Sequence, residues 1–339
     1  MRLRIGYYKK ETETIIHKYM GIKNLNKFIT SECPSAIKQI SLFELAGKKI
    51  VIDISIYIFK YAIDGCLIEN MYLMLSLFKN YNIIPIFIFD GKRPIEKKEL
   101  LDQRRDDREK LKQEYDVLKY KLDTEELPDD EKQEITTNLR SLSNKLVIIK
   151  KADFENVKKL ITAFGCMYFD APGEADELCS FLCIKGKVWG CLSEDMDMFV
   201  YGCPRVIRYL SLANNTASLY DNKEILNTLR ITQTELREIC VLSGTDYNIN
   251  VTKSVSLYQS LNLFKKYKKS KHAGTFYMWV LNNTNYIEDD EMLIKINKMF
   301  SLEDDFMLKQ FEHTSIKRGS SDITDINELL MNEGFIFPK

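Results

Sequence analysis

The chain has 339 residues, 45% of them apolar and 29% charged, and its 49 basic and 49 acidic side chains cancel to a formal charge of zero. That length can bury a substantial core in one or two domains. The charge balance excludes a globally basic nucleic-acid binder, so any surface for an anionic polymer must be local. No apolar run approaches the ~20 residues of a membrane span, and the polar N-terminus lacks the apolar segment of a signal peptide. These features predict a soluble intracellular protein with no membrane partner. Eight cysteines occur without a C-x-x-C pair; several, including Cys166, Cys179, Cys183 and Cys191, fall in apolar runs and read as buried free thiols of a reducing compartment. His17, His272 and His313 lie far from cysteine and from one another. Zinc sites and histidine-based nucleophilic triads are therefore not expected.

In chain order, residues 1–19 are polar and precede a second methionine, Met20, after which 20–29 has helical apolar spacing. A strand is predicted near 49–54, helices near 55–63 and 69–80, and a strand at 84–89. From Pro94 to about Leu122 the chain is densely charged with a helical period, Leu127-Pro-Asp-Asp130 breaks it, and a second helix runs toward Leu146. A helix over 153–164 with Asp153 as N-cap, a strand at 166–169, a helix over 173–184 and strands at 188–192 and 206–210 follow. Beyond Asn222 the pattern is entirely helical. Strands this apolar, alternating with helices, predict an α/β fold with a mainly parallel central sheet flanked by helices, a charged helical insertion at about 92–150, and an all-helical C-terminal region. Nothing repeats at a fixed period, which excludes solenoids.

Several of these strands lead into acids. Lys49-Ile-Val-Ile-Asp53 and Ile84-Pro-Ile-Phe-Ile-Phe-Asp90 each end on one, and Val188-Trp-Gly-Cys-Leu192 runs into Ser193-Glu-Asp195-Met-Asp197. Ala171-Pro-Gly-Glu174-Ala-Asp176 and Leu242-Ser-Gly-Thr-Asp246 complete a set of seven. One such aspartate can be a simple helix cap. Five separate sites at once point instead to a cleft beyond the carboxyl ends of parallel strands, where ligands bind in such sheets. Two carboxylates about 4 Å apart repel by roughly 4 kcal/mol at an effective dielectric of 20, so the set predicts hard divalent cations, magnesium or manganese. Phosphodiester hydrolysis by two metals is the chemistry that uses such a set and needs no side-chain nucleophile. Either Glu174 or Asp176 could hold a metal through water or orient the attacking water.

Lys97, Arg104 and Arg108 fall at i, i+7 and i+11 just after Asp90, on one helical face. They are solvated ion-pair partners, or cations that draw a phosphate toward the acids. Farther on, Phe264-Lys-Lys-Tyr-Lys-Lys-Ser-Lys-His272 concentrates Lys265, Lys266, Lys268 and Lys269 in a stretch with no acid from Tyr247 to Tyr286. It reads as a lysine-rich exposed helix end, as an anchor for a nucleic-acid backbone or as an import signal.

The Met20-Gly-Ile start, Asp53 after its strand, Phe89-Asp90-Gly-Lys, Ala171-Pro-Gly-Glu174-Ala-Asp176, Glu194-Asp195-Met-Asp197 and Gly244-Thr-Asp246-Tyr, in this order, resemble the blocks of the XPG and flap endonuclease family of structure-specific 5′ nucleases, with a PIN-like core. The resemblance spans about Met20 to Tyr247. It implies that Asp53, Asp90, Glu174, Asp176, Asp195, Asp197 and Asp246 bind two Mg2+ ions, with Mn2+ as a substitute. It implies that the charged insertion is a helical arch whose Lys97 and Arg104 contact the scissile phosphate, with Arg108 a further DNA contact, and that Phe59 stacks on a base beside the cut unless it is a core residue. The Glu-Ala-Asp at 174–176 resembles the exonuclease branch. The segment Asn248-Ile-Asn-Val-Thr-Lys253-Ser-Val is shorter than the family's duplex-gripping hairpin and lacks its glycines, which puts a potassium site there in doubt; Lys253 remains a candidate DNA contact.

These readings divide the chain into an N-terminal extension (1–19), a nuclease core (20–247) and a helical DNA-binding and accessory region (248–339), with native translation starting at Met1 or Met20. The expected substrates are DNA with 5′ flaps, nicks, gaps or ends, handled by a monomer without a visible sliding-clamp motif, in the nucleus, the cytoplasm or a viral replication site. An RNA-directed endonuclease is the rival within enzymes. A non-catalytic scaffold of the same fold in mRNA or translation control is the rival outside them.

Overall fold

The computed structural model describes residue 22 and residues 24–92, 94–248, 255–302 and 306–335. Among these, the elements in order are α1 (Leu25–Glu32), β1 (Ile37–Ser41), β2 (Lys49–Asp53), α2 (Ile54–Ile63), α3 (Leu67–Asn80), β3 (Ile84–Phe89), α4 (Lys98–Thr124), α5 (Asp129–Lys145), α6 (Lys151–Ala163), β4 (Met167–Asp170), α7 (Ala175–Ile184), β5 (Gly190–Leu192), α8 (Asp197–Tyr201), β6 (Arg205–Ser211) and β7 (Thr216–Asp221). The helices α9 (Asn222–Leu229), α10 (Gln233–Ser243), α11 (Leu257–Ser270), α12 (Phe276–Asn283), α13 (Glu291–Met299), α14 (Phe306–Lys309) and α15 (Ile323–Asn332) follow. The predicted N-terminal extension, Met20, Gly21 and Lys253 lie outside the described residues.

The strands form one sheet in the order β1-β7-β6-β5-β2-β3-β4. From β6 to β4 neighbouring strands are parallel, while β7 and β1 run antiparallel at one side. The mainly parallel sheet expected from the apolar runs is therefore present. The antiparallel pair β1 and β7 was not anticipated, because in β1 only Ile40 is buried and its other residues face outward or sit at the rim.

Alternation within the strands assigns each residue to one of two cores. Val51, Ile86, Ile88, Cys191 and Val206 pack with α1, α7, α8 and α10 on one face. Ile50, Ile52, Phe87, Phe89, Leu192 and Ile207 pack with α2, α3, α6 and α15 on the other. Covered on both faces, β2, β3 and β5 exclude water along their length and are free to present polar groups only at their ends.

α4 and α5 stand apart from both cores as an antiparallel hairpin: α4 buries no residue and α5 only Ile135 and Leu142. At the start of α6 the structure corrects the expected cap. The helix begins at Lys151, and Asp153 lies at its third position, where its carboxylate accepts a hydrogen bond from the Lys150 amide at 2.7 Å. The thiols of Cys179, Cys183 and Cys191 are buried as expected, whereas Cys166 is only half-buried. No helix among the described residues is long and apolar enough to cross a membrane.

Candidate active site

The parallel strands β2, β3 and β5 end side by side, so the segments leaving them converge at one rim of the sheet. Asp53 is the last residue of β2, Asp90 follows β3, and Ser193–Asp197 follows β5. Glu174 is the N-cap of α7 and Asp176 lies in its first turn, where the helix dipole favours negative charge. Asp246 follows α10.

Short polar contacts knit these segments together. The Ser193 hydroxyl donates to Asp53 Oδ2 at 3.0 Å and accepts from the Asp195 amide at 3.1 Å. Asp195 Oδ1 in turn accepts from the Asp197 amide at 2.8 Å. Asp90 Oδ1 accepts from the Ala175 amide at 2.9 Å and so fixes the start of α7 beside β3. The same turn is closed by the Gly91 amide, which donates to the Gly173 carbonyl at 2.8 Å. Gly91 has to be glycine, because a Cβ there would lie 1.8 Å from the Ala171 carbonyl oxygen.

Asp176, Asp195 and Asp197 each bring a carboxylate oxygen to within 4.8 Å of the other two. Asp197 is completely buried and neither of its carboxylate oxygens has a hydrogen-bond partner. Burial, reinforced by the neighbouring acids, pushes the carboxyls of Asp53, Asp176 and Asp197 well above the usual carboxylate range. Burial also raises Asp195, opposed by the bond from the Asp197 amide, and lifts Asp246 to about 6, opposed by Lys97. The two unpartnered, buried oxygens of Asp197, set among acids that repel it, fit a hard divalent cation, which neutralises the charge that the fold leaves uncompensated.

Cations from the base of the hairpin already lean on this cluster. Lys97 Nζ lies 2.6 Å from Glu174 Oε2 and 4.0 Å from Asp246 Oδ2, and Arg104 Nη2 lies 3.5 Å from Asp246 Oδ2. Burial alone would lower the Lys97 pKa, but the charges of Asp176, Glu174 and Asp197 outweigh it and hold the ammonium protonated. Tyr247, which the sequence reading passed over, donates its hydroxyl to Glu174 Oε2 at 2.6 Å and stacks under Lys97 Nζ, 4.9 Å from its ring centroid. Its position directly after Asp246 was the available signal.

Other predicted contacts lie elsewhere. Arg108 does not face the acids: its guanidinium donates to the carbonyls of Leu146 and Val147 at 2.8 and 2.9 Å and ties α4 to the chain that follows α5. Phe59 is half-buried on α2. Lys265, Lys266 and Lys269 are exposed on α11, whereas Lys268 is paired at 2.6 Å with Glu235 of α10, an acid that lies outside the acid-free stretch.

Residues 20–111 match the XPG N-terminal domain and residues 165–246 the XPG I-region, together just over half of the chain. The sequence is 28% identical to Flap endonuclease 1 of the yeast Lodderomyces elongisporus over 86% of this chain and 79% of that protein. It is 29% identical to a RAD2-like endonuclease, 369L, of Invertebrate iridescent virus 6 over 76% of this chain and 74% of that protein. Among solved structures, the catalytic core of Rad2 in complex with a DNA substrate superposes with a TM-score of 0.64 at 19% identity, covering 91% of this chain and 94% of that one. The resolving enzyme GEN1 with product DNA, Mg2+ and Mn2+ gives 0.59 at 17% identity, covering 90% and 71%. The architecture is thus that of the structure-specific 5′ nucleases. The chain belongs to the XPG and flap endonuclease family.

Proposed function

We propose that this chain is a divalent-metal-dependent 5′ nuclease that hydrolyses phosphodiester bonds of branched or 5′-ended DNA in replication, repair or recombination. The observation that carries the proposal is the mutually repelling set Asp176, Asp195 and Asp197 at the carboxyl rim of the sheet, with Asp176 and Asp197 buried and Asp195 half-buried, beside Lys97 and Arg104 paired with the neighbouring Glu174 and Asp246. Flap endonuclease relatives that align over most of both chains support the reading.

Magnesium, or manganese in its place, would supply charge neutralisation at the scissile phosphate and a water of lowered pKa. We assign Asp53, Asp90, Glu174, Asp176, Asp195, Asp197 and Asp246 to holding two such ions. Lys97 and Arg104 are assigned to the scissile phosphate, each exchanging a carboxylate partner for a phosphate oxygen. Tyr247 and Ser193 keep Glu174 and Asp53 oriented. The exposed Lys265, Lys266 and Lys269 are assigned to the duplex backbone, and Phe59 to a base beside the cut. In this reading residues 20–247 form the nuclease core, α4 and α5 its arch, and the monomer works wherever its DNA is replicated, in the nucleus or in a cytoplasmic or viral compartment.

The test is a gel assay of the purified protein on 5′-flap, nicked, bubble and blunt DNA, with a matched RNA flap, in magnesium and in EDTA. Cleavage of 5′-flap or 5′-ended DNA in magnesium only is expected. Asp195→Asn should abolish it while sparing DNA binding. A protein that leaves every DNA substrate intact in magnesium and in manganese would refute the proposal.

A further inference from the structure

Glu194 stands between Ser193 and Asp195 but turns away from the acidic cluster into the protein, where it is 4% exposed. Its partner is Arg208 of β6, which has no exposed surface at all. Arg208 donates hydrogen bonds from both terminal nitrogens of its guanidinium, while Nε and Glu194 Oε2 face each other as an ion pair without a hydrogen bond. Nη2 donates to the main-chain carbonyl of Glu194 at 2.8 Å, Nε lies 3.6 Å from Glu194 Oε2, and Nη1 donates to Asn26 Oδ1 on α1 at 2.6 Å. Tyr209 and Tyr220 flank the guanidinium, with ring centroids 4.8 and 5.5 Å away.

The strand itself is bent to serve this contact. The pairing of β6 with β7 shifts register between Arg208 and Ser211, and Tyr209 adopts φ 56°. A bulky residue is held in that left-handed region only where its surroundings over-determine it. Here the result is that the Tyr209 amide donates to Glu194 Oε1 at 2.7 Å. The Tyr209 hydroxyl is fixed by the Asn26 amide at 2.7 Å, and Tyr220 donates to Asn26 Oδ1 at 3.1 Å.

We propose that Arg208 is a positioning residue for metal binding: through Glu194 it fixes the main chain of the loop from which Asp195 and Asp197 project. The inference rests on the nuclease reading above. A buried ion pair is a poor device for stability, since well-packed apolar residues of like volume do as well or better. It is a good device for geometry, because the planar fork sets the directions of its two acceptors, the Glu194 carbonyl and Asn26 Oδ1, in a way an ammonium cannot. The loop needs such a clamp, since three carboxylates within 4.8 Å drive it apart whenever cations are scarce.

The variants are Arg208→Lys, which keeps the charge and loses the fork, and the double variant Arg208→Met with Glu194→Gln, which buries no charge. Leu75→Ala, in the core on the opposite face of the sheet, serves as a control for loss of stability alone. Calorimetric affinity for manganese, the magnesium concentration for half-maximal cleavage, the KM for flap DNA and circular dichroism are measured on each. Both Arg208 variants are expected to fold, to bind manganese at least tenfold more weakly, and to need at least tenfold more magnesium, with KM for DNA within twofold of wild type. Leu75→Ala should melt lower with unchanged metal affinity. The inference is overturned if the folded variants keep wild-type metal affinity, if Leu75→Ala loses affinity equally, or if the double variant fails to fold. A wild-type protein that binds no manganese fells the nuclease reading first, and this inference with it.

Discussion

Replacing Asp197 with asparagine should make the metal-free protein more stable and the metal-loaded protein less so. Asp197 is fully buried, without a hydrogen-bond partner for either carboxylate oxygen, and within 4.8 Å of both Asp176 and Asp195. At an effective dielectric of 20, two unit charges at that separation repel by roughly 3.5 kcal/mol. Because burial already raises the pKa of all three acids, the wild-type protein relieves part of this strain by binding protons. The recoverable fraction is about 1–3 kcal/mol, which shifts the melting temperature by about 1–4 °C in a chain of this size. Thermal unfolding at pH 8 in EDTA measures it. With manganese at a thousand times its dissociation constant the wild-type protein gains about 4.1 kcal/mol, whereas Asp197→Asn, having lost a ligand, gains far less, and the order of melting reverses. An Asp197→Asn protein that melts below wild type in EDTA, or gains as much from manganese, would refute the reasoning.

Three further expectations follow from the same geometry. Asp246 has a folded-state pKa of about 6, above its unfolded value, so the folded protein holds more protons and the contribution to stability is complete below about pH 4 and lost as pH rises toward 6. Urea midpoints in EDTA should fall across that window, and less steeply in Asp246→Asn. Gly91→Ala would place a Cβ 1.8 Å from the Ala171 carbonyl oxygen, so it should destabilise the protein by about 2–3 kcal/mol and reduce manganese affinity by moving Asp90 and Glu174, as denaturation and calorimetry would show. Arg108→Ala removes the two bonds that tie α4 to residues 146 and 147. Hydrogen exchange should speed up in α4 and α5 while manganese affinity stays unchanged.

Much of the site was legible because the relevant strands are buried on both faces, so an acid at their ends can only be an end. Asp53, Asp90 and Asp195 stood out for that reason, and Glu174, Asp176, Asp197 and Asp246 through the blocks around them. The structure brings Asp176, Asp195 and Asp197 together. The antiparallel strands β1 and β7 were not legible, since Ile37-Lys-Gln-Ile-Ser41 pairs with the chain 179 residues away at Ser218 rather than declaring itself by pattern. Asp153 gave the signal of a helix start but two residues late, because an acid at the third helical position caps as well as one at the N-cap. Partners were the least legible feature. That Lys268 meets Glu235, that Arg108 meets two carbonyls, and that Arg208 meets Glu194 are consequences of packing between distant segments. Residues 249–254, with Lys253, lie outside the described residues.

The account turns on whether the acids at the sheet rim hold divalent metal. Anomalous diffraction from crystals of the protein soaked in manganese measures this directly. Two peaks are predicted, one among Asp176, Asp195 and Asp197 and one shared with Asp53, Asp90 or Glu174, and the first should vanish in Asp195→Asn. Strong anomalous density elsewhere with none at these carboxylates would contradict the account.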